Sequence, residues 1–279
     1  MGARYTRSGR SWKLNMNTLT IDRQINTGVE CVKLDAKGKH YTVLNQELRK
    51  AVANGAKNIE IYNVHGQRYI GTNLYPYDVA NLHIKVFGTP GNDLGVFLNG
   101  PKIEVFGNTQ DAVGNTMNAG EIVVHGNTGD ILGYGMRGGE IYVKGNVGYR
   151  VAIHMKQFRD KVPAVVIGGA MQDFFGEYMA GGIVVLLALE MPEDHRHSSF
   201  VGTGMHGGKI FIRGNMESEQ IGKEVGVTEP TEDEYRVINK YVSKYCAYFG
   251  NYQPEDIMKD KFIKLYPKIL RPYGNIYAY

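Results

Sequence analysis

Alternating apolar and polar positions mark the middle of the chain, and they recur at a nearly fixed distance. A template Gly-x-x-Met-x-x-Gly-x-Ile-x-Val-x-Gly-Asn repeats with small departures from about residue 71 to residue 215. Its best copies begin at Gly114 (GNTMNAGEIVVHGN), Gly133 (GYGMRGGEIYVKGN) and Gly202 (GTGMHGGKIFIRGN). A copy from Gly95 has Leu98 in place of Met, and one from Gly176 reads as one residue shorter before its apolar run. With the alternating apolar pair as marker, the copies are Ile84/Val86, Ile103/Val105, Ile122/Val124, Ile141/Val143, Val165/Ile167, Ile183/Val185 and Ile210/Ile212. The successive intervals are 19, 19, 19, 24, 18 and 27 residues. Such a period is too short for ankyrin, tetratricopeptide or propeller units. A β-branched alternation of period two between glycine corners is strand chemistry.

A coil of this size cannot bury its apolar side alone, whereas coils stacked at the roughly 4.8 Å strand spacing bury a continuous column. The expected fold is therefore mainly β: a right-handed parallel β-helix of about seven turns, with an N-terminal α/β cap and C-terminal helices. The Ile and Val of each pair point inward, and Met117, Met136 and Met205 fill a second wall. Gly114, Gly120, Gly133, Gly139, Gly202 and Gly208 supply positive φ at the corners. Asn108, Asn127, Asn146 and Asn215 each follow a glycine at one template position. There they form either a ladder of side chains along the column or simple Gly-Asn turns.

A stacked column leaves strand edges at both ends, and the flanks are suited to cover them. Residues 41–55 place Leu44, Leu48, Ala51 and Val52 on one helical face, and NIEIYNV then reads as a strand. Thr231 and Glu234 form a capping box before a stripe of Tyr235, Ile238, Tyr241, Val242, Tyr245 and Tyr248. A further helix is expected after Pro254, with Met258, Phe262 and Leu265 on its buried side. The expected organisation is an arm and α/β cap over 1–70, the β-helix over 71–216 and a helical extension over 217–279.

Composition narrows the function classes. Hydrophobic residues make up 43% of the 279 positions, yet the longest apolar run, Ile183 to Leu189, is far too short to span a bilayer. The basic start of the chain (Arg4, Arg7, Arg10) lacks the apolar stretch of a secretory signal, so the expected location is cytoplasmic. A net charge of +4 with scattered basic residues gives nucleic-acid binding little support. The two cysteines, Cys31 and Cys246, make no metal-binding pair. No serine lies in Gly-x-Ser-x-Gly, and the glycine runs lack the strand–loop–helix setting of a phosphate cradle. No catalytic and no cofactor-binding residue is assigned.

Two irregular gaps in the repeat remain as candidate sites. Glu193, Asp194, His195 and His197 carry a His-x-His beside carboxylates, a weak pattern for a divalent metal in a loop that more often is only solvated. His154, Lys156 and Arg159, near Asp160 and Lys161, could meet an anionic ligand or an acidic partner, or simply face water. His125, on a strand, and His206, at a corner, read as surface residues.

With the repeat and its flanks in view, the chain resembles the C-terminal GXGXG β-helix domain of the glutamate synthase large subunit, in a stand-alone form. The resemblance rests on NVHGQRYIGTNL (63–74), the well-kept Gly-x-x-Met-x-x-Gly-x-Ile turns and FFGEYMAGGIVVLLAL (174–189), and covers roughly residues 20–215. In that family glutamine's amide nitrogen is moved onto 2-oxoglutarate. One domain releases ammonia, an FMN and iron–sulfur domain carries out the reduction, and the β-helix domain is mainly a connector. The resemblance implies a non-catalytic subunit whose partners are a glutamine amidotransferase and an FMN-binding glutamate synthase subunit. FMN and iron–sulfur clusters are then expected on those partners and not on this chain. Self-association through the helical tyrosines is a further expectation. The alternatives are a β-helix subunit of another oxidoreductase such as formylmethanofuran dehydrogenase, which carries similar turns, or an independent ligand-binding protein using loops 148–164 and 190–201.

Overall fold

The computed structural model describes residues 31–189 and 198–268. Among these, eleven strands form one open sheet, and helices are few. Nine strands run parallel in chain order: β1 (Cys31–Asp35), β2 (Asn58–His65), β3 (His83–Thr89), β4 (Asn99–Phe106), β5 (Ala119–Val124), β6 (Glu140–Val143), β7 (Ala164–Ile167), β8 (Ala180–Leu186) and β9 (Gly207–Arg213). The direction then reverses. β11 (Phe262–Pro267) lies antiparallel on β9, and β10 (Val225–Thr228) lies antiparallel on β11 at the sheet edge. The sheet thus extends beyond residues 71–216 on both sides. No helix of the described residues is long and apolar enough to cross a membrane.

The register shows what the period is for. Ile84, Ile103, Ile122, Ile141, Val165, Val184 and Ile210 sit opposite one another across successive strands. All are buried in one continuous core, together with Leu98, Met117, Met136, Met155, Met179 and Met205. One expected marker is corrected: Val184 and Leu186 face this core, while Ile183 and Val185 belong to the apolar cluster on the opposite face. Counted from Gly176 the copy is full-length, and its unbroken apolar run hides the phase. A one-residue error exchanges the two faces of a strand.

Contact as well as conformation fixes the first glycine of a copy. Gly114 has φ of 67°, and a Cβ there would strike Cδ1 of Ile141 in the following copy. Gly71, Gly95 and Gly176 stand in the same relation to Ile103, Ile122 and Ile210.

The loops are bonded from copy to copy as well. The N–H groups of Gly114, Gly133, Ala152 and Gly176 donate to the carbonyls of Leu94, Val113, Leu132 and Val151. Asn108 Oδ1 accepts from the Asn127 N–H at 2.8 Å, and Asn127 Oδ1 from the Asn146 N–H at 2.7 Å. Asn146 Oδ1 in turn accepts from the Ala170 N–H at 2.7 Å. These bonds run from side chain to backbone, with Gly126, Gly145 and Gly169 lying against the asparagine oxygens where a Cβ has no room. Asp111 and Asp130 make a second such ladder, accepting from the N–H groups of Asp130 (3.0 Å) and Tyr149 (2.9 Å).

The outer face of the sheet changes character along its length. Lys33, Glu60, Lys85 and Glu104 are successive neighbours across β1–β4, so the register sets opposite charges side by side. From β5 onward the same row reads Val123, Tyr142, Val166, Val185 and Phe211. Helix α2 (Glu232–Phe249) covers that apolar stretch with Ile238, Tyr241, Val242, Tyr245 and Phe249. Gly168 leaves room for the Tyr245 hydroxyl, which donates to the Lys144 carbonyl at 3.0 Å. The tyrosine stripe is therefore covered by the chain's own sheet: Tyr241 and Tyr245 are buried and do not form an exposed oligomerisation face.

Elsewhere α1 (Tyr41–Ala53) buries Leu44, Leu48 and Val52 against the core between β1 and β2. The long second C-terminal helix does not form. α3 spans only Pro254–Met258, and residues 262–267 are strand β11. Phe262 and Leu265 have helical spacing, yet they bury on opposite sides of the sheet, because the open edge of β9 offers a full ladder of backbone partners.

Two predictions follow from these contacts. Asn127→Ala breaks one rung of the ladder and should lower stability by about 0.5–1.5 kcal/mol, read from the urea midpoint, with the binding surfaces untouched. The second concerns the α2 cap, where the Glu234 carboxylate accepts from the Thr231 N–H (2.9 Å) and pairs with Lys209 (2.7 Å) and Lys264 (2.8 Å). Burial alone would raise its pKa, but the bonds from Lys209, Lys264 and Thr231 outweigh burial and hold it at about 2, below the ordinary 4.5. A depressed folded value means that this contribution is complete above pH 4.5 and disappears as pH falls toward 2. Urea midpoints measured across that window should fall, and Glu234→Gln should lack this part of the fall.

Candidate functional site

The corner before each buried Met has one conformation in all copies. Around Met136, Ile131, Gly133 and Gly135 have φ of 52°, 67° and 57°. The Tyr134 N–H donates to the Ile131 carbonyl, and the Met136 N–H to the Gly133 carbonyl. These are two overlapping i→i+3 turns with positive φ at the third residue, the requirement of a type II turn. The residue just before the Met or Leu is consequently left-handed in every copy: Phe97, Thr116, Gly135, His154, Tyr178 and Gly204. The residue just after it forms an adjacent column of Asn118, Arg137, Lys156, Ala180 and His206.

From Thr116 and Arg137 onward these two columns, with Tyr134, line an open cleft of about 770 Å³. His154 and Tyr178 stack with ring centres 5.4 Å apart and planes 10° apart, and Tyr134 meets His154 edge-on at 5.9 Å. The backbone of Gly204 lies against the Tyr178 ring, where no Cβ fits. His206 Nδ1 is 3.1 Å from the Gly204 carbonyl oxygen. A carbonyl only accepts, so Nδ1 carries the hydrogen. Burial, and then the neighbouring Arg137 guanidinium, push the Lys156 amine below its ordinary pKa.

The charge of the cleft is one-sided. Arg137, Lys156, His154 and His206 line it, and among the described residues no acidic one does. Of the carboxylates around it, Glu177 pairs with Arg150 Nε at 3.1 Å, and Glu224 accepts from the Gly204 N–H. Among the described residues no serine or cysteine lines the cleft.

Of the residues marked in the sequence, His154 and Lys156 belong to this cleft, while Arg159, Asp160 and Lys161 do not line it. Arg159 instead lies over the Phe158 ring at 5.2 Å. The reading of His206 and His125 as plain surface residues is corrected. His206 is a half-buried cleft wall. His125 is half-buried between Phe106 (4.7 Å) and Phe249 (5.2 Å), with Nε2 at 2.9 Å from Glu104. The sequence does carry a signal for Arg137, which occupies the template position after Met, but Tyr134 and Tyr178 join the site only through stacking of copies. His195 and His197, with Glu193 and Asp194, lie outside the described residues, and among the described residues no group of three or more His, Cys, Asp or Glu could hold a metal.

Comparison with known proteins agrees with the repeat. The model of the family described as GXGXG motif matches residues 40–271. A protein of Methanocaldococcus jannaschii described as "Uncharacterized protein MJ1350" is 43% identical over 260 residues, which cover 90% of this chain and 98% of that protein.

The cleft wall depends on one bare backbone position. Gly204→Ala meets both a φ of 70° and the Tyr178 ring, so it should destabilise by more than about 1 kcal/mol. It should also move the ring resonances of His154 and Tyr178 in NMR spectra; unchanged rings would show that the stack does not rest on Gly204.

Proposed function

The chain belongs to the GXGXG motif family, whose pattern matches the GXGXG domain of glutamate synthase, and from that membership we propose that it is a non-catalytic structural subunit of a glutamate synthase-like complex. In this reading the strands wind as a right-handed parallel β-helix of about seven turns over residues 71–216, between an N-terminal α/β cap over 1–70 and a C-terminal extension over 217–279. The winding is supported by parallel strands in chain order, by loops bonded copy to copy, and by the strong right-handed preference of parallel crossovers. Segments this short, with no helix among the described residues between β2 and β9, leave a coil as the simplest way to return each strand beside the last.

The observation that carries the proposal is the family match over most of the described chain. The chain's own inventory agrees with it. A four-thiolate cluster cannot be assembled from two cysteines, one exposed on β1 and one buried on α2. The reducing FMN and iron–sulfur centres and the ammonia-releasing site then reside on partner subunits. The column acts as a rigid spacer holding them in register, because each copy is fixed by core contacts and by hydrogen bonds to its neighbours.

Co-expression with separately encoded amidotransferase and FMN-domain proteins tests this. The expected result is a stable complex on size-exclusion chromatography and a glutamine-dependent formation of glutamate that requires this chain. A chain that elutes alone, with glutamate formation equally fast in its absence, would refute the proposal.

A further inference from the structure

The outer face of β1–β4 differs from the stretch that α2 covers. Its middle row is Lys33, Glu60, Lys85 and Glu104, one residue per strand, with charges that alternate in sign. Beside this row Tyr62, Phe87 and Phe106 stack, with ring centres 4.7 and 4.9 Å apart and planes 6° and 9° apart. None of the three rings belongs to either buried apolar cluster, and Phe106 is exposed. Among the described residues the helices lie elsewhere. α1 packs on the inner core, and α2 lies over β5 and beyond, with Tyr248 meeting Lys102 at the rim.

A row of four alternating charges reverses every sign when it is read backwards. We propose that two copies of this chain pack this face against itself, about a two-fold axis parallel to the strands and between β2 and β3. That axis sets Lys33 opposite Glu104 of the second copy and Glu60 opposite its Lys85, and symmetry makes each pair occur twice. In the ring row it sets Tyr62 opposite Phe87, an apolar contact beside the charges, and Asp35 opposite Phe106. In the remaining row Asn58 faces His83, and Lys102 faces Cys31. No two like charges of these three rows then lie opposite each other. The alternative two-fold, along the stacking direction, places Lys33 on Lys33 and Lys85 on Lys85, and directly opposed like charges are unfavourable. The favoured rotation also carries β5 to a place one strand spacing beyond β1 of the other copy, so α2 falls outside the shared face. Four strands span only about 19 Å, a small interface by the standard of stable dimers. The dimer is therefore expected to be concentration-dependent and weakened by salt. The inference stands apart from the scaffold role, since it concerns copies of this chain alone.

Sedimentation equilibrium of the full chain tests the proposal, and a monomer–dimer equilibrium that shifts toward monomer as sodium chloride is raised is expected. Lys85→Glu and Glu60→Lys should each be monomeric alone, because each sets like charges opposite across the axis. Mixed together, the two variants should dimerise again: Glu60 of one faces Lys85 of the other, and the introduced glutamate faces the introduced lysine. A role confined to one copy does not produce recovery on mixing. Urea midpoints of both variants are measured alongside. Should a variant be unfolded, the unaltered chain still decides: a thiol–amine crosslinker attached at the exposed Cys31 should give a dimer-sized product whose linked peptide carries Lys102. A chain that stays monomeric up to about 1 mM, a dimer that survives either reversal, folded variants that fail to recover on mixing, or a crosslinked dimer without Lys102 would overturn the assignment.

Discussion

The stacking depends on one recurring close approach: in four copies an isoleucine methyl fills the space where a Cβ on the preceding copy's first glycine would lie. Gly114 and Ile141 touch in this way, and so do Gly71 and Ile103, Gly95 and Ile122, and Gly176 and Ile210. A Cβ at those glycines would occupy the place of the isoleucine's terminal methyl, which would have to turn away from its packed position. Glycine is thus needed here for space as well as for its left-handed backbone, and the two requirements coincide at one position. Ala152 is the exception. It holds φ of 58° in a copy whose following strand begins only after a longer loop.

Much of this was legible in the sequence because a stacked repeat writes each contact several times. The apolar pairs, the Met wall, the capping box of Thr231 and Glu234 and the helix over Tyr41–Ala53 are all local patterns, and the structure has them. What stayed hidden had a single occurrence or a competing partner. The run Ile183–Leu187 is apolar at every position, so alternation alone had no phase to reveal; only the count from Gly176 does. Phe262 and Leu265 fit a helical stripe, but the free edge of β9 outweighed local spacing. The aspartate ladder of Asp111 and Asp130 has no sequence signal of its own, because aspartate in a turn is ordinary, whereas the recurring Gly-Asn pair is conspicuous.

The same comparison explains the cleft. Two of its residues, His154 and Lys156, were visible as charges in an irregular gap. Their partners Arg137 and His206 lie in copies that match the template well, which made their side chains look incidental. Register brings them together: equal template positions become neighbours in space, so a cluster that is scattered over 70 positions in sequence, from Arg137 to His206, is compact in the fold. For a repeat of this kind, reading down the template columns is more informative than reading along the chain.

Backbone strain separates what stacking needs from what it merely allows. The position before each Met is left-handed in all copies, and glycine would occupy it without strain, as Gly135 and Gly204 do. Phe97, Thr116, His154 and Tyr178 instead hold side chains there, each at a cost of about 1–2 kcal/mol relative to a glycine. Phe97 projects into solvent with 60% of its surface exposed, and Tyr178 keeps 45% exposed. Side chains that strain the backbone and remain accessible contribute little to the core. From Thr116 onward the alternation of bare and occupied positions in this one column is what shapes the cleft.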